Sequence, residues 1–191
     1  MKDLLALHYH NKLGHMSSTL TAYPIIREIY DKKGKDDVFI LSQGHAALAL
    51  YCVLGKGQEL FDKYGVHPHR DIEEGLYCTT GSLGMGITVA LGAAMSGRVV
   101  HCLISDGEAA EGCVWEALTH APKYPNLKVH VNCNGMTALG DAPHGLMYRL
   151  KAFHPDIILH QTRVDLSFKW ANTVECHYHV LTEEEYAQVI R

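Results

Sequence analysis

The sequence predicts an α/β fold, an open parallel β-sheet with helices on both faces, and three observations carry that prediction. An apolar run from Val99 to Ile104 ends abruptly in Ser105-Asp106-Gly107. A second, from Leu127 to Val131, ends in Asn132-Cys133-Asn134-Gly135, and a helix-like segment through Glu116 to His120 lies between them. Strand, loop, helix, strand, loop is the repeating unit of a parallel sheet, and ligands of such sheets gather at the carboxyl ends of neighbouring strands.

The other elements follow in chain order. Residues 3–13 carry an amphipathic helical pattern that Gly14 would stop, and His15 comes directly after it. Beyond Ser17-Ser18-Thr19, a second helix from about Leu20 to Tyr30 sets Ile25, Ile26, Ile29 and Tyr30 in one apolar stripe. Asp37 to Leu41 reads as a short buried strand, followed by Ser42-Gln43-Gly44-His45 and a helix from Ala46 to Leu54. A short helix is expected between Gly55 and Tyr64, ahead of His67-Pro68-His69. In Thr79 to Gly86, glycines alternate with small residues, which lets backbone approach a ligand closely, and a helix of small residues from Val89 to Ser96 comes next. Met147 to Phe153 reads as a helix and Ile157 to Leu159 as a strand, while Thr182 with Glu185 forms a capping box for a last helix.

A chain of 191 residues with 47% hydrophobic content can bury one substantial core, so residues 1–191 are expected to form a single domain. The net charge of −4 and the lack of a basic cluster argue against nucleic-acid binding, so any phosphate is to be held by metal and backbone rather than by Lys and Arg. The start, MKDLLALHYHNK, turns polar too soon for a signal peptide, and no stretch reaches the roughly 18 apolar residues of a membrane span. A cytoplasmic protein without membrane contact is expected. Six cysteines without C-x-x-C spacing read as reduced, buried thiols. Fourteen histidines include three His-x-His pairs, at His8, His67 and His177, and on a strand that spacing would leave a zinc site open as an alternative.

The chemistry concentrates at the two strand ends. Asp106 offers a hard carboxylate, Asn134 an amide oxygen, and the turn after it a backbone carbonyl. Three oxygens suit Mg2+ or Ca2+, and Mg2+ completes its shell with water and phosphate oxygens. Gly107 allows close backbone approach ahead of a helix N-terminus that favours anions. The set predicts a metal-bridged diphosphate.

DGEAAEGCVWE followed by an Asn-bearing strand end resembles the thiamine diphosphate motif in its transketolase form. Further blocks resemble the same family in the same order: Gly14-His15 before a Ser-rich turn, Ser42-Gln43-Gly44-His45, His67-Pro68, and Thr80-Gly81-Ser82-Leu83-Gly84 before the small-residue helix. Glu175-Cys176-His177 and the later Thr182-Glu183-Glu184-Glu185-Tyr186 resemble the end of separately encoded N-terminal subunits. Departures are Ser105 for a glycine, Cys133 before Asn134, Tyr77 near a usual acidic position, and a shortened stretch between Phe153 and Phe168. The resemblance implies a thiamine-diphosphate-binding fold whose sheet is trimmed in its C-terminal part.

It also implies roles. Asp106, Asn134 and the Met136 carbonyl would hold Mg2+ or Ca2+; Gly107, Glu108 and Asn134 would serve the diphosphate side, and Gly81 and Leu83 the aminopyrimidine. His15, His45, His67 and His177 would contact substrate oxygens and diphosphate, with a turn histidine as the other reading of His177. Glu111, counted with the catalytic set, and Glu116, counted with the cofactor set, would face a dimer interface; read from spacing alone they are two solvated helix glutamates.

The function implied is transfer of a two-carbon ketol unit between sugar phosphates by the diphosphate-binding half of a split transketolase. Its partner would be a separate C-terminal, pyrimidine-binding subunit, in a homodimer or two-fold heterotetramer. The alternatives are a non-catalytic thiamine diphosphate-binding or regulatory protein, an alpha-type chain of a 2-oxo-acid dehydrogenase, and a His-rich metal protein.

Overall fold

A computed structural model describes residues 1–190. Its elements run α1 (Lys2–His10), α2 (Met16–Lys32), β1 (Val38–Leu41), α3 (Ala47–Val53), α4 (Gly57–Tyr64), α5 (Met85–Met95), β2 (Val100–Ser105), α6 (Gly112–His120), β3 (Leu127–Cys133), a two-residue hairpin of β4 (Met136–Thr137) and β5 (Gly140–Asp141), α7 (Leu146–Phe153), β6 (Ile158–Gln161) and α8 (Glu183–Val189). The main sheet has the order β1-β2-β3-β6 and is parallel throughout. Ser105 at the end of β2 lies level with Asn132 on β3.

Side chains alternate across the sheet, so each strand feeds two cores. Phe39, Leu41 and Leu103 join α1, α2, α3 and α4 on one face, where Tyr51 and Ile26 are fully buried. Val38, Ile40, Cys102, Ile104, Val129 and Val131 join α5, α6 and α7 on the other. The C-terminal segment folds back on the first core: Tyr9 stacks on Tyr186 at 4.1 Å, and Trp170 Nε1 donates to Glu185. Thr182 closes the expected capping box.

Several boundaries differ from the sequence reading. The first helix stops at His10, because Lys12 turns into the left-handed region at φ 52°. The second begins at Met16 rather than Leu20, taking in Ser17, Ser18 and Thr19. These hydroxyl residues are buried; Thr21 donates back to the Ser17 carbonyl within the helix, and Thr19 donates to His8 Nε2 on α1, whose Nδ1 donates to the Leu13 carbonyl. The helix after the glycine-rich run starts four residues early, α5 beginning at Met85 after a left-handed Gly84. All six cysteines are free, but only Cys102, Cys133 and Cys176 are buried.

The His-x-His pairs do not lie on strands. His8 and His10 sit on α1, with His8 buried and His10 exposed; His67 and His69 lie in a loop; His179 turns away from His177 to Glu185 and stacks on Trp170. Among the described residues, no group of three or more His, Cys, Asp or Glu side chains is placed to hold a metal ion. No described helix is long and apolar enough to cross a membrane.

Candidate functional site

A cleft of about 230 Å3 opens at the carboxyl ends of β1, β2 and β3. Its floor is built from the two strand ends. Asp106, just past β2, is 2% exposed; its Oδ1 accepts from the Gly107 N–H at 3.0 Å and its Oδ2 from the Gly135 N–H at 2.7 Å. Burial pushes its carboxyl up to about 6, against the pull of these N–H donors. Asn134, just past β3, accepts from the Met136 N–H at 2.9 Å and points its amide at Ser17 and Thr21 on α2. Gly107 has an ordinary right-handed φ of −62°, and a Cβ there would make only ordinary contacts, 3.6 Å from Ser105 Oγ and 3.9 Å from Thr137, so backbone freedom is not what places a glycine there.

The walls are imidazole. His15, His45, His67 and His177 all line the cleft, with ring centroids 4.6 Å apart for His15 and His177, and 5.7 Å for His15 and His45. Burial is the main reason that His45 falls to about 3 and that His15 and His177 are lowered, so these rings are neutral at neutral pH. His177 reaches the cleft because the turn Val174–His177 docks on the start of α2, where the His15 N–H donates to the His177 carbonyl at 2.7 Å. A Cβ on Gly14 would stand 3.1 Å from that carbonyl.

A third side comes from the glycine run. Thr80 Oγ1 donates to the Leu41 carbonyl at 2.7 Å, pinning the run to the end of β1 and setting Gly81 and Leu83 in the cleft. The fit is close: a Cβ on Gly44 would sit 2.5 Å from the Thr80 carbonyl oxygen, and one on Gly86 would sit 2.5 Å from the Ser42 Cα. Glu108 locks this junction from beneath. Fully buried, it accepts from the Ser42 hydroxyl and the Gly84 N–H at 2.7 Å each, and from the Ser105 N–H at 3.2 Å. Ser105 Oγ in turn accepts from the Glu108 N–H, which accounts for serine where a glycine is usual.

The sequence-predicted set therefore divides. Asp106, Asn134, Met136, Gly107, Gly81, Leu83, His15, His45, His67 and His177 share the cleft. Glu108 does not line it but ties three loops under it, a structural correction to a cofactor-contact role. Glu111 and Glu116 are exposed around and on α6, outside the cleft, because the N-terminal turn and outer face of that helix carry them away from the sheet. Sequence reading missed Asn132, fully buried, whose amide donates to Thr21 at 2.9 Å and whose oxygen accepts from Thr162 at 2.6 Å, joining α2 to the end of β6. A polar residue where β3 meets the following loop was its only signal.

The donor set fits a hard divalent cation bridging to phosphate. Asp106 is a buried carboxylate with no cationic partner, Asn134 adds an amide oxygen, and among the described residues no Lys or Arg lines the cleft. A diphosphate there needs its charge met by a metal ion and by backbone.

Comparison with known proteins points the same way. No protein-family model matches the chain. One of the subunits of an apulose-4-phosphate transketolase, from Phocaeicola vulgatus, is 31% identical over 149 residues, 64% of this chain and 53% of that one. Human transketolase is 30% identical over 159 residues, 68% of this chain and 26% of that one. The chain thus spans about half the length of the Phocaeicola relative and a quarter of the longer human enzyme. A crystal structure of a transketolase variant from Pichia stipitis superposes with a TM-score of 0.76 at 18% identity, covering 96% of this chain and 38% of that one, which shows a shared fold.

Proposed function

We propose, from the premise that this chain is a relative of the transketolases, that it is the thiamine diphosphate- and Mg2+-binding half of a split transketolase. The observation that carries the reading is the floor of the cleft: a buried, cation-free carboxylate on Asp106 beside the amide oxygen of Asn134, walled by imidazoles and free of Lys and Arg among the described residues. Asp106, Asn134 and the Met136 carbonyl would hold the divalent ion, with Ca2+ able to replace Mg2+. Gly107 would border the diphosphate, and Gly81 and Leu83 would border the ring system.

The bound cofactor would supply an electron sink next to the substrate carbonyl. The chain supplies orientation. His15, His45 and His177, held neutral by burial, each can offer one N–H donor and one acceptor nitrogen to sugar hydroxyls, and His67 adds a fourth ring to the same wall. Residues 1–191 would act as one diphosphate-binding domain. The Phocaeicola relative is named as one subunit of its enzyme, which supports a separately encoded partner, and the exposed Glu111 and Glu116 are the acids that would face a second chain in a two-fold assembly. The reaction class is ketol transfer between sugar phosphates.

Calorimetric titration of thiamine diphosphate with Mg2+, with and without a candidate C-terminal subunit, tests this. Binding should require the metal, tighten with the partner and fall by at least about a hundredfold in Asp106→Ala, which removes the only charged ligand. Metal-independent binding, or binding indifferent to Asp106, would overturn the assignment; an absence of binding with either chain would favour a non-catalytic role.

A further inference from the structure

Two hydroxyls of α2 meet two carboxamides at the end of β3. Ser17 and Thr21 stand one helical turn apart and so share a face of α2, and Asn132 and Asn134, two residues apart, both turn their side chains to that face. Ser17, Thr21 and Asn132 are buried, while Asn134 is half-buried and reaches the cleft.

Thr21 is where they converge. Its Oγ1 lies 2.6 Å from the Ser17 carbonyl oxygen, 2.9 Å from Asn132 Nδ2 and 3.3 Å from Asn134 Nδ2. A hydroxyl has one proton to give and two lone pairs to accept with. The Ser17 carbonyl can only accept, as can the Ser18 carbonyl at 3.4 Å, so the proton is spent within the helix and both carboxamides face lone pairs. The sense of the network is then fixed along its length. Thr162 donates to Asn132 Oδ1 at 2.6 Å, Asn132 Nδ2 donates to Thr21, and Thr21 donates to the Ser17 carbonyl.

This decides which end of Asn134 the cleft receives. The two ends of a carboxamide match in shape and are opposite in hydrogen bonding, and only the oxygen can serve a hard cation. Turned over, Asn134 would set its oxygen against the Thr21 lone pairs and its NH2 group against the Met136 N–H. As it stands, Nδ2 donates to Thr21 and to Ser17 Oγ, and Oδ1 accepts from the Met136 N–H at 2.9 Å. The Ser17 hydroxyl, which can donate or accept, does not by itself choose between the two orientations. Thr21 does, because its proton is committed.

We propose that Thr21 is a positioning residue for the cleft, its committed hydroxyl holding the Asn134 carboxamide so that the oxygen is presented to the divalent ion. The inference rests on the reading of Asp106 and Asn134 as metal ligands, and it gives α2 a part in that site through a side chain that does not line the cleft.

The orientation is tested by NMR on the full wild-type chain, labelled at Asn nitrogens and Thr methyls, without metal or cofactor. The Asn134 NH2 protons should show a stronger nuclear Overhauser contact to the Thr21 methyl than to the Met136 amide proton. The consequence is tested by calorimetric titration of thiamine diphosphate at stepped Mg2+ concentrations, on the chain alone and with a candidate C-terminal subunit. Thr21→Val, which keeps the shape and removes the hydroxyl, should raise the Mg2+ requirement about tenfold, and Thr21→Ser, which restores the hydroxyl, should return it to within about twofold of wild type. Thr162→Val cuts the same network on the far side of Asn132, so it should cost stability and leave the Mg2+ requirement unchanged. Equal shifts for Thr21→Val and Thr162→Val, no recovery with Thr21→Ser, or an Asn134 NH2 group nearer the Met136 amide than Thr21 would each overturn the proposal. The wild-type contacts decide the orientation even if Thr21→Val does not fold. The wild-type titration separates the two failures: Mg2+-dependent binding that Thr21→Val leaves untouched sinks only the positioning role, whereas wild-type binding that ignores Mg2+ sinks the metal reading of the cleft and Thr21's role with it.

Discussion

Two buried polar systems share one sheet and solve the cost of burial in opposite ways. At the carboxyl ends of β2 and β3, Asp106 and Glu108 are carboxylates taken out of water, and among the described residues backbone N–H groups and the Ser42 hydroxyl are their only hydrogen-bond partners. On the α2 face, His101, His130 and His160 on β2, β3 and β6 form a ladder. His101 Nε2 faces the Asp37 carboxylate at 3.5 Å, which sets the order of the protons: His130 Nε2 donates to His101 Nδ1 at 3.2 Å, and His160 Nε2 donates to His130 Nδ1 at 3.0 Å. The ladder satisfies itself without net charge. Asp106 leaves a carboxylate facing the cleft with no protein cation beside it among the described residues, and this is why the first system reads as a site and the second as structure.

The largest expected effect comes from the packing that holds the carboxylate end together. Gly86→Ala would press a Cβ onto the Ser42 Cα, which is backbone and cannot swing aside, so α5 must lift from the end of β1 and strain the Ser42–Glu108 bond. A loss of about 3 kcal/mol is expected from urea denaturation. Gly92→Ala on the same helix meets nothing within 4 Å and should be neutral or gain up to about 1 kcal/mol. Equal outcomes would mean that close packing under the cleft does not matter.

Glu108→Gln comes next, at about 1–3 kcal/mol. The new amide keeps an oxygen for Ser42 and Gly84 but turns N–H groups toward the Ser105 N–H, setting donor against donor. Unchanged stability would remove Glu108 from its positioning role.

The residues of the carboxylate end were legible in sequence because their chemistry is local. Asp106 and Asn134 each close an apolar run, and glycine and histidine blocks stand out from the helices around them. The strands and helices followed from periodicity, with errors where buried hydroxyls of α2 found internal partners and where Lys12 ended α1. The ladder was not legible. Its three histidines lie on separate strands and meet only through parallel register, which pairs Leu103 with His130 and Asn132 with His160; no spacing along the chain announces it. Glu108 failed for the related reason that a helix-start glutamate gives no sign of facing inward.

The imidazole system should be cheaper to cut. His130→Leu fills the middle of the ladder with hydrocarbon and strips His101 and His160 of a partner each, but both rings are only half-buried and can turn to water. A cost of about 1 kcal/mol at neutral pH is expected by thermal denaturation. A loss larger than that of Glu108→Gln would reverse the ranking of the two systems.

The response to acid separates the two systems most sharply, because they must respond with opposite signs. Burial lowers His130 to about 3, so between its ordinary pKa of 6.5 and about 4 the unfolded chain binds a proton that the folded chain refuses, and stability falls as pH falls. Burial raises Glu108 to about 7 and Asp106 to about 6, so over the same range the folded chain binds protons that the unfolded chain has released, and stability grows as pH falls. Each group contributes up to about 1.4 kcal/mol per pH unit. Measured as differences from wild type in urea at about pH 4.5, 5.5 and 6.5, the cost of His130→Leu should shrink on acidification and that of Glu108→Gln should grow. His8 and His45 add the same acid loss to every variant and drop out of the comparison. Mg2+ sharpens it further, since a cation on Asp106 holds that carboxylate ionised and removes its acid gain, leaving wild type more acid-sensitive with metal than without. If both variants moved in the same direction, the two burial strategies would be one, and the argument that the carboxylate end is kept open for a cation would lose its physical basis.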